Sequence, residues 1–175
     1  MKFVPITDKD YGNCYKRMES AFPYNERRDE KQWIKLFKYP EFHCYFLKEE
    51  FENKTVGFVT FWDYDEFVFI EHFAIDDNCR GKGYGTEFLK QFQEMVKKNI
   101  ILEVEPPLSL QAIKRINFYN RAGLILNDEF YYEQPSYHNE DTVPLILMSS
   151  ERLNEYAFNK FMERTRLNCY KDCVK

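Results

Sequence analysis

The chain lacks the sequence features of a membrane-spanning or exported protein. No run of apolar residues is long enough to cross a lipid bilayer. The first residues, Met1 to Pro5, do not have the pattern of a secretory signal. The five cysteines are odd in number and scattered, which argues against a disulfide framework. We therefore expect a cytoplasmic protein that works in a reducing setting without a membrane partner.

A metal-binding pattern is missing as well. Cys169 and Cys173 lie four residues apart on a predicted helix, but no histidine and no second cysteine pair stands near them in the sequence. Two thiols on one helix face are therefore favoured over a metal pair, and no metal site is predicted.

An excess of basic residues is also absent. Lys and Arg number 25 against 29 Asp and Glu, a net charge of −4, which disfavours a nucleic-acid partner and is compatible with cationic amine substrates. Repeats and low-complexity linkers are missing too. Aromatic residues are instead abundant, with thirteen Tyr and seventeen Phe among 175 residues. This composition argues against disorder and for one domain with a substantial core.

The chain is organised around the stretch from Phe67 to Val96. The apolar run from Phe67 to Ile75 predicts a strand, and a polar turn follows it. The glycine-rich segment from Arg80 to Gly85 then leads into a helix, whose apolar face is formed by Phe88, Leu89, Phe92, Met95 and Val96. Such a unit places backbone N–H groups at the positive end of a helix dipole, where glycines let an anion approach closely.

The glycine-rich segment does not fit two common phosphate-binding patterns. A Walker A loop requires Ser or Thr after its Gly-Lys pair, but Gly83 and then Tyr84 follow Lys82. The dinucleotide fingerprint requires a third glycine where Thr86 stands, and a surrounding βαβ unit that is not predicted. Two alternatives remain. One is a turn that only starts a helix, and the other is an anion-binding loop of the type Arg/Gln-x-x-Gly-x-Gly.

A second motif favours the anion-binding loop. In the segment from Ile116 to Leu124, Tyr119 stands four residues before Gly123. This segment and the loop that contains Arg80, Gly83 and Gly85 resemble, in their order and separation, the two motifs of the GNAT superfamily of acyl-CoA-dependent N-acyltransferases. The resemblance covers roughly residues 1 to 148.

The resemblance and the apolar periodicity predict one fold class. We expect an α/β (α+β) fold with a mixed, mostly antiparallel central sheet of about six to seven strands, helices on both faces and a C-terminal helix. Residues 1–148 would form the acyltransferase domain, and residues 149–175 a helical extension that packs on it or pairs with a second chain as a homodimer. The predicted strands are Phe3–Ile6, His43–Lys48, Thr55–Trp62, Phe67–Ile75, Ile100–Glu105, a bent strand through Leu124–Leu126 and Phe130–Tyr132, and Thr142–Met148.

Helix boundaries are predicted from capping residues. The first helix is expected to start after Thr7 or Asp8 and to end near Ala21, and the second to start after Asp29. The second helix would turn Trp33, Ile34, Leu36 and Phe37 inward. Later helices are expected from Ser109 to about Ala122, with Gly123 as the stop, and after Ser150, with Leu153, Ala157 and Phe161 along one stripe.

The resemblance implies acetyl-CoA as the cofactor. In the family the glycine loop holds the pyrophosphate of coenzyme A, and the end of the preceding strand pairs with the pantetheine arm. The positions that correspond are Phe73, Ala74, Ile75, Arg80, Gly81, Lys82, Gly83, Tyr84, Gly85 and Thr86. The chain departs from the family in the second motif, where Ala112 and Arg115 stand at positions that often hold Asn and Ala. Arg115 shares a helix face with Tyr119, and it either contacts the cofactor, as Tyr119 would, or points into solvent.

Two residues are predicted to act in catalysis. Tyr119 is the predicted general acid, because a neutral phenol can protonate a departing thiolate. Glu71 is the predicted base, on the same strand face as Phe69 and Phe73, where burial would raise its pKa. The alternative for Glu71 is an acid paired with an arginine or with His72. His72 itself is expected to lie on the opposite face as a core histidine.

Other residues compete for the roles of base and acceptor contact. Glu103 and Glu105 share one face of the next strand, so either could supply the base or attract the amine. Tyr131, Tyr132 and Tyr137 are expected to line the acceptor end through the loop from residue 133 to 141.

The activity implied is transfer of an acetyl group from acetyl-CoA to the primary amine of a small molecule. A protein or peptide amine is the alternative acceptor, because acceptor loops share no motif. A non-catalytic acyl-CoA-binding sensor is an alternative of a different class, and it would tolerate the loss of the Tyr119 hydroxyl.

Overall fold

The computed structural model describes residues 1–138 and 142–171. The chain divides into two compact units, Met1–Ile100 and Ile101–Lys175. The described residues form seven strands and five α-helices. All strand pairings within each unit are antiparallel. The predicted α+β class with six to seven mostly antiparallel strands and a C-terminal helix is therefore confirmed.

The first unit is an antiparallel meander with helices on both faces. Its strands pair in the order β1-β2-β3-β4. The elements are β1 (Lys2–Pro5), α1 (Tyr11–Ala21), α2 (Glu30–Ile34), β2 (Phe42–Lys48), β3 (Thr55–Asp63), β4 (Phe67–Ile75) and α3 (Tyr84–Val96). Short 3₁₀ turns precede α1, follow α2 and lie between β4 and α3. These bounds match the predicted elements within a few residues.

Aromatic rings alternate across β3 and fill both faces of the first unit. On one face the Phe58 ring lies 6.4 Å from Phe22, at the end of α1. On the other face Phe61 lies 5.0 Å from Phe92 of α3. Because successive side chains of a strand point to opposite faces, β3 contributes to the cores under α1 and under α3. Aromatic rings, which are abundant in the composition, therefore contribute to the cores on both faces of the first unit.

The second helix departs from its prediction. Asp29 caps α2, since its carboxylate accepts the Gln32 N–H at 2.8 Å, but the α-helix ends at Ile34 and a 3₁₀ turn follows. Trp33 and Leu36 are buried as expected, whereas Ile34 is 36% exposed. The change of helical period after Ile34 breaks the inward face that a continuous α-helix would have.

A β-bulge in β4 corrects the predicted orientation of three residues. Thr60 of β3 pairs with His72, but the next residue of β3 pairs with Ile70, so Glu71 is an extra residue in β4. A bulge interrupts the strict alternation of a strand. Glu71 and His72 therefore both contact the segment that joins α1 to α2, and not opposite faces. Phe73 instead stacks on Phe88 of α3 at 4.3 Å, so Glu71 and Phe73 do not share a face.

The second unit is a smaller antiparallel sheet with two helices. Its elements are β5 (Asn99–Val104), α4 (Leu110–Arg121), β6 (Ile125–Pro135), β7 (Thr142–Ser149) and α5 (Glu155–Arg164). β7 pairs with β5 and with β6. The register of β6 shifts between Asn127 and Tyr131, which confirms the predicted bent strand.

The C-terminal extension begins differently from its prediction. Asn154, and not Ser150, caps α5, because the Asn154 side chain accepts the Ala157 N–H at 2.9 Å. Leu153 is buried but precedes the helix. α5 packs on β6, where Phe158 stacks on Phe130 at 4.7 Å. A π-helical turn, Thr165–Cys169, continues α5, and Cys173 lies outside the described residues.

Candidate active site

The glycine loop adopts a conformation that requires glycine. Gly81 and Gly83 have φ angles of 76° and 87°, in the left-handed region that other residues avoid. A Cβ atom added at either position would meet no other atom within 4 Å, so the backbone angle is the constraint, and not space. Gly83 is the N-cap of α3, and the Glu87 N–H donates to its carbonyl at 3.0 Å.

The start of α3 offers donors to an anion. Because Glu87 makes the first intrahelical hydrogen bond to Gly83, the N–H groups of Tyr84, Gly85 and Thr86 belong to the first turn, which has no intrahelical acceptors. They lie at the positive end of a 13-residue helix. This arrangement suits a phosphate or another compact anion.

Arg80 braces the start of the loop. Its Nε donates to the carbonyl oxygen of Ile75 at 3.2 Å, and its guanidinium lies 2.8 Å from the carboxylate of Asp77. The side chain is nonetheless 60% exposed. Arg80 therefore links the last residue of β4 to the loop and still presents part of its guanidinium to solvent.

A cavity of about 530 Å³ lies in the first unit where β4 ends. One wall is a face of α1, formed by Asn13, Lys16, Arg17, Ser20 and Ala21, which recur at helical spacing. The opposite wall contains three of the predicted cofactor residues, Ala74, Ile75 and Arg80, together with Asp76, Asp77 and Asn78. Its volume is in the range of small-molecule sites.

An ion pair joins the two walls of this cavity. Arg17 of α1 pairs with Asp76, which directly follows β4. The Arg17 Nε is buried and has no hydrogen-bond partner within the described residues. The guanidinium also lies 5.9 Å from the centre of the Phe46 ring. Sequence reasoning missed Arg17, because nothing local indicates that residue 17 meets residue 76.

Glu71 forms a buried charged cluster with Arg28. Their side chains are 3% and 4% exposed and form an ion pair, and the Trp62 indole N–H donates to the second Glu71 oxygen at 2.8 Å. Burial by itself raises the pKa of Glu71, but the positive charge of Arg28, a smaller electrostatic contribution from His72 and the hydrogen bonds from Arg28 and Trp62 outweigh it and lower the pKa to about 2. The expectation of a raised pKa was therefore wrong, and the alternative of an arginine partner is what the structure contains.

His72 is a core histidine held in one tautomer. Its Nε2 lies 3.2 Å from the carbonyl oxygen of Glu26, which can only accept, so Nε2 carries the proton. Its Nδ1 then accepts from the Thr60 hydroxyl at 3.2 Å. Burial lowers the pKa of His72 despite the opposing effect of Glu71. The ring is therefore neutral at physiological pH, and both nitrogens are occupied.

Tyr119 lies on α4 in the second unit, near Arg115. Withdrawal from water raises the pKa of Tyr119 to about 12, although the positive charge of Arg115 offsets part of the effect. The phenol therefore keeps its proton at physiological pH. Its backbone carbonyl accepts the Leu124 N–H at 3.0 Å, where Gly123, with a φ of 92°, ends the helix. The four-residue spacing between Tyr119 and Gly123 is thus explained by the way in which α4 ends.

Arg115 and Glu105 pair with each other. The guanidinium lies 2.9 Å from the Glu105 carboxylate, and both side chains are more than one third exposed. Ala112 is buried in the first turn of α4. The role of Arg115 toward a cofactor stays a prediction.

Glu103, an alternative base, is held by two phenols. The hydroxyls of Tyr132 and Tyr170 both donate to its carboxylate, with Tyr170 at 2.6 Å. Burial and the neighbouring Glu103 raise the pKa of both tyrosines well above the usual value. Tyr137 lies 6.2 Å from Tyr170. Tyr170 comes from the C-terminal extension, and no local pattern predicted its contact with β5.

The predicted acceptor residues have different surroundings. Tyr132 and Tyr137 are buried, whereas Tyr131 is 54% exposed and donates to Glu133 at 3.3 Å. Residues 139–141 of the predicted acceptor loop lie outside the described residues.

Within residues 1–138 and 142–171, no helix is both long enough and apolar enough to cross a membrane.

Two known proteins are similar to this chain over most of its length. The structure of a candidate acetyltransferase of the GNAT family from Bacteroides thetaiotaomicron matches with a TM-score of 0.89 and 33% identity over 100% of both chains. YjbC of Bacillus subtilis (strain 168), named as a candidate acetyltransferase, is 24% identical over 91% of this chain and 83% of its own length.

More distant structures share the fold alone. A SpeG spermidine N-acetyltransferase mutant from Vibrio cholerae matches at a TM-score of 0.63 with 11% identity, over 85% of this chain and 91% of its own. The ribosomal-protein-S18-alanine N-acetyltransferase from Escherichia coli matches at a TM-score of 0.63 with 15% identity, over 88% and 96% of the two chains.

The family model for the acetyltransferase (GNAT) family matches residues 10–124. This span contains β4, the glycine loop, α3 and the motif that ends at Gly123. The chain therefore belongs to the acetyltransferase (GNAT) family.

Proposed function

We propose that this acetyltransferase transfers the acetyl group of acetyl-CoA to the primary amine of a small molecule in the cytoplasm. The observation that carries the proposal is the glycine loop. Gly81 and Gly83 hold the left-handed angles that leave the first N–H groups of α3 available to an anion. The cavity at the end of β4 adjoins this loop through Arg80.

The cofactor is proposed to be held mainly by backbone groups. The N–H groups from Gly81 to Thr86 would bind the pyrophosphate, with the exposed cations of Arg80 and Lys82 nearby. The backbone of Phe73, Ala74 and Ile75 would pair with the pantetheine arm, while the Phe73 ring packs under α3. Arg115 and Tyr119 are proposed to complete the set from α4.

The proposed chemistry is direct attack of the amine. Acetyl-CoA supplies an activated acyl group whose C–S bond breaks as the C–N bond to the amine forms. Tyr119 is proposed to give its phenolic proton to the leaving sulfur, because the phenol is protonated at neutral pH. The amine loses one proton, and Glu71 is proposed to orient the water that accepts it. A carboxylate with a pKa of about 2 is a weak direct base but a good hydrogen-bond acceptor.

The acceptor amine is proposed to belong to a small molecule, and a protein or peptide amine is the alternative. Spermidine and an alanine of ribosomal protein S18 are the acceptors named for the two distant structures, and the likeness of those structures to this chain concerns the fold. A sensor that only binds acyl-CoA would need neither Tyr119 nor Glu71, and the presence of both residues disfavours it.

The test is a thiol-release assay with acetyl-CoA against a panel of small amines, amino acids, polyamines and peptides. Calorimetry with coenzyme A on the same preparation measures cofactor binding separately. Binding of coenzyme A with amine-dependent thiol release would support the proposal. Absence of binding would refute the cofactor site, and binding without release across the panel would favour the sensor.

A further inference from the structure

The cavity at the end of β4 carries a net positive charge on an acidic protein. Its lining contains three cations, Lys16, Arg17 and Arg80, and two anions, Asp76 and Asp77, whereas the whole chain has a net charge of −4. The lining of the cavity therefore differs in sign from the chain as a whole. A local field of this kind selects ligands by charge.

Both carboxylates of the cavity are already neutralised. Asp76 pairs with Arg17, and Asp77 pairs with Arg80 at 2.8 Å. Each carboxylate therefore has a cationic partner that offsets its charge, although its remaining lone pairs can accept further hydrogen bonds. A polyamine entering this cavity would meet carboxylates whose charge is offset, together with an additional cation.

Lys16 is the third cation of the lining, beside the paired Arg17 and Arg80. It lies on the α1 wall between Asn13 and Ser20 and is exposed. Within residues 1–138 and 142–171 it has no ionic or hydrogen-bonded partner. Asn13, Ser20 and Asn78 add neutral hydrogen-bonding groups to the same cavity. An ammonium group surrounded by amide and hydroxyl groups suits a carboxylate or a phosphate.

We infer that this cavity binds the acid group of the acceptor, so that the preferred acceptors are amines that also carry a carboxylate or a phosphate. The inference rests on the proposed function, because it places the amine acceptor beside Ala74 and Ile75, where the thioester arm is proposed to lie. Lys16 is the specificity residue, and Arg17 shapes the wall through its pair with Asp76.

The test compares amines that differ only in the second group. One pair is 5-aminopentanoate and 1,5-diaminopentane, and the other is phosphoethanolamine and ethanolamine. Each probe is titrated into the ¹⁵N-labelled protein, with and without saturating coenzyme A, and the dissociation constant is read from amide shifts of Asn13, Lys16 and Asn78. We expect the acid-bearing member of at least one pair to bind about tenfold more tightly than its partner, as expected for one favourable charge pair in place of a repulsive one near a protein surface.

Two charge-reversal variants distinguish an effect of the cavity from an effect of the net charge of the protein. Lys16→Glu should lose the preference for the acid-bearing probe. Lys31→Glu changes the net charge equally but lies on α2, outside the cavity, and should keep it. The KM values of the same probes in thiol release should follow the same order, with unchanged KM for acetyl-CoA.

Several outcomes would overturn the inference. They are equal or tighter binding of the diamine and of ethanolamine, an absence of binding by both acid-bearing probes, and equal effects of the two variants. Competition of the acid-bearing probes with coenzyme A would also overturn it, since the cavity would then hold a phosphate of the cofactor. The first three results are read in the absence of coenzyme A, so the failure of the inference is distinct from the failure of the proposed function.

Discussion

Glu71 in the first unit and Glu103 in the second show how neighbours decide what a buried carboxylate does. Glu71 is paired with a guanidinium and accepts an indole N–H. Glu103 accepts hydrogen bonds from two phenols. The first carboxylate is held by a positive charge, and the second by neutral donors.

The two arrangements shift proton affinities in different ways. Arg28 and the other partners outweigh burial and lower the pKa of Glu71 to about 2. Around Glu103 the pKa values that shift are those of Tyr132 and Tyr170. Burial and the adjacent Glu103 carboxylate raise both of them. Glu71 is therefore a fixed anion. Glu71 was the predicted base and Glu103 an alternative, and their partners separate them.

The largest effect is expected when Arg28, the cation that holds Glu71, is removed. Arg28→Met should lower the free energy of unfolding by about 3–5 kcal/mol, because it leaves the Glu71 carboxylate buried without its counterion. Urea unfolding measures the change. Adding Glu71→Gln to Arg28→Met should recover at least half of the loss, because the stranded charge disappears.

The control for this change is Lys31→Met on the exposed side of α2, which should change the stability little. Equal losses in Arg28→Met and Lys31→Met would show that the buried pair contributes nothing to stability.

Acid should weaken the first unit through Glu71. A carboxylate with a pKa lowered from 4.5 to about 2 contributes stability that is fully present above pH 5 and is lost as the pH falls through 4.5 toward 2. At about 1.4 kcal/mol per pKa unit, the loss is of order 3 kcal/mol. Urea unfolding as a function of pH should show this loss in the wild type and less of it in Glu71→Gln. Identical pH profiles would contradict the lowered pKa.

Tyr132 and Tyr170 donate hydrogen bonds to Glu103, whereas Tyr119 is proposed to donate its proton to the leaving sulfur. Tyr119→Phe should lower kcat by at least about a hundredfold, because the departing thiolate loses its proton donor, while stability changes little. Steady-state thiol release with acetyl-CoA measures the change. Tyr156→Phe is the matched control, because Tyr156 is 68% exposed on α5, and it should keep the wild-type kcat. An unchanged kcat in Tyr119→Phe would remove this residue from the mechanism.

Local signals explain what the sequence predicted correctly. The apolar run of β4, the glycines before α3 and the apolar face of that helix are all consecutive, so residues 67–96 reveal a strand, a loop and a helix without reference to distant residues. Gly83 and Gly123 are required by their positive φ angles, which is a property of single residues. The family motifs are readable for the same reason.

The bulge shows what alternation alone misses. A single extra residue, Glu71, is not visible in a run such as Phe67 to Ile75, because every residue in it is compatible with an extended strand. Its consequence is large, since Glu71 and His72 both turn toward the segment between α1 and α2. The cap of α5 was misplaced for another reason, because Ser150 and Asn154 are both good caps and only the folded chain decides between them.

Partners distant in sequence account for the remaining differences. Arg28 lies 43 residues from Glu71, and Tyr170 lies 67 residues from Glu103. No periodicity encodes such pairs, so the pKa of Glu71 was predicted from burial alone and had the wrong sign. Long-range contacts therefore decide the electrostatics around Glu71 and Glu103, although the strand, loop and helix of the proposed site were predictable from consecutive residues.

The smallest effect is expected at Glu103, which is held by neutral phenols. Tyr170→Phe removes one of the two phenols that donate to Glu103, and the second donor, Tyr132, remains. The loss should be about 1.5–3 kcal/mol, the range for one hydrogen bond to a charged group. It should be smaller than that of Arg28→Met, because no full counterion is removed. Urea unfolding of Tyr170→Phe beside Tyr156→Phe separates the lost hydroxyl from the general effect of the substitution. A loss as large as that of Arg28→Met would mean that the C-terminal turn holds the second unit as firmly as a buried ion pair holds the first.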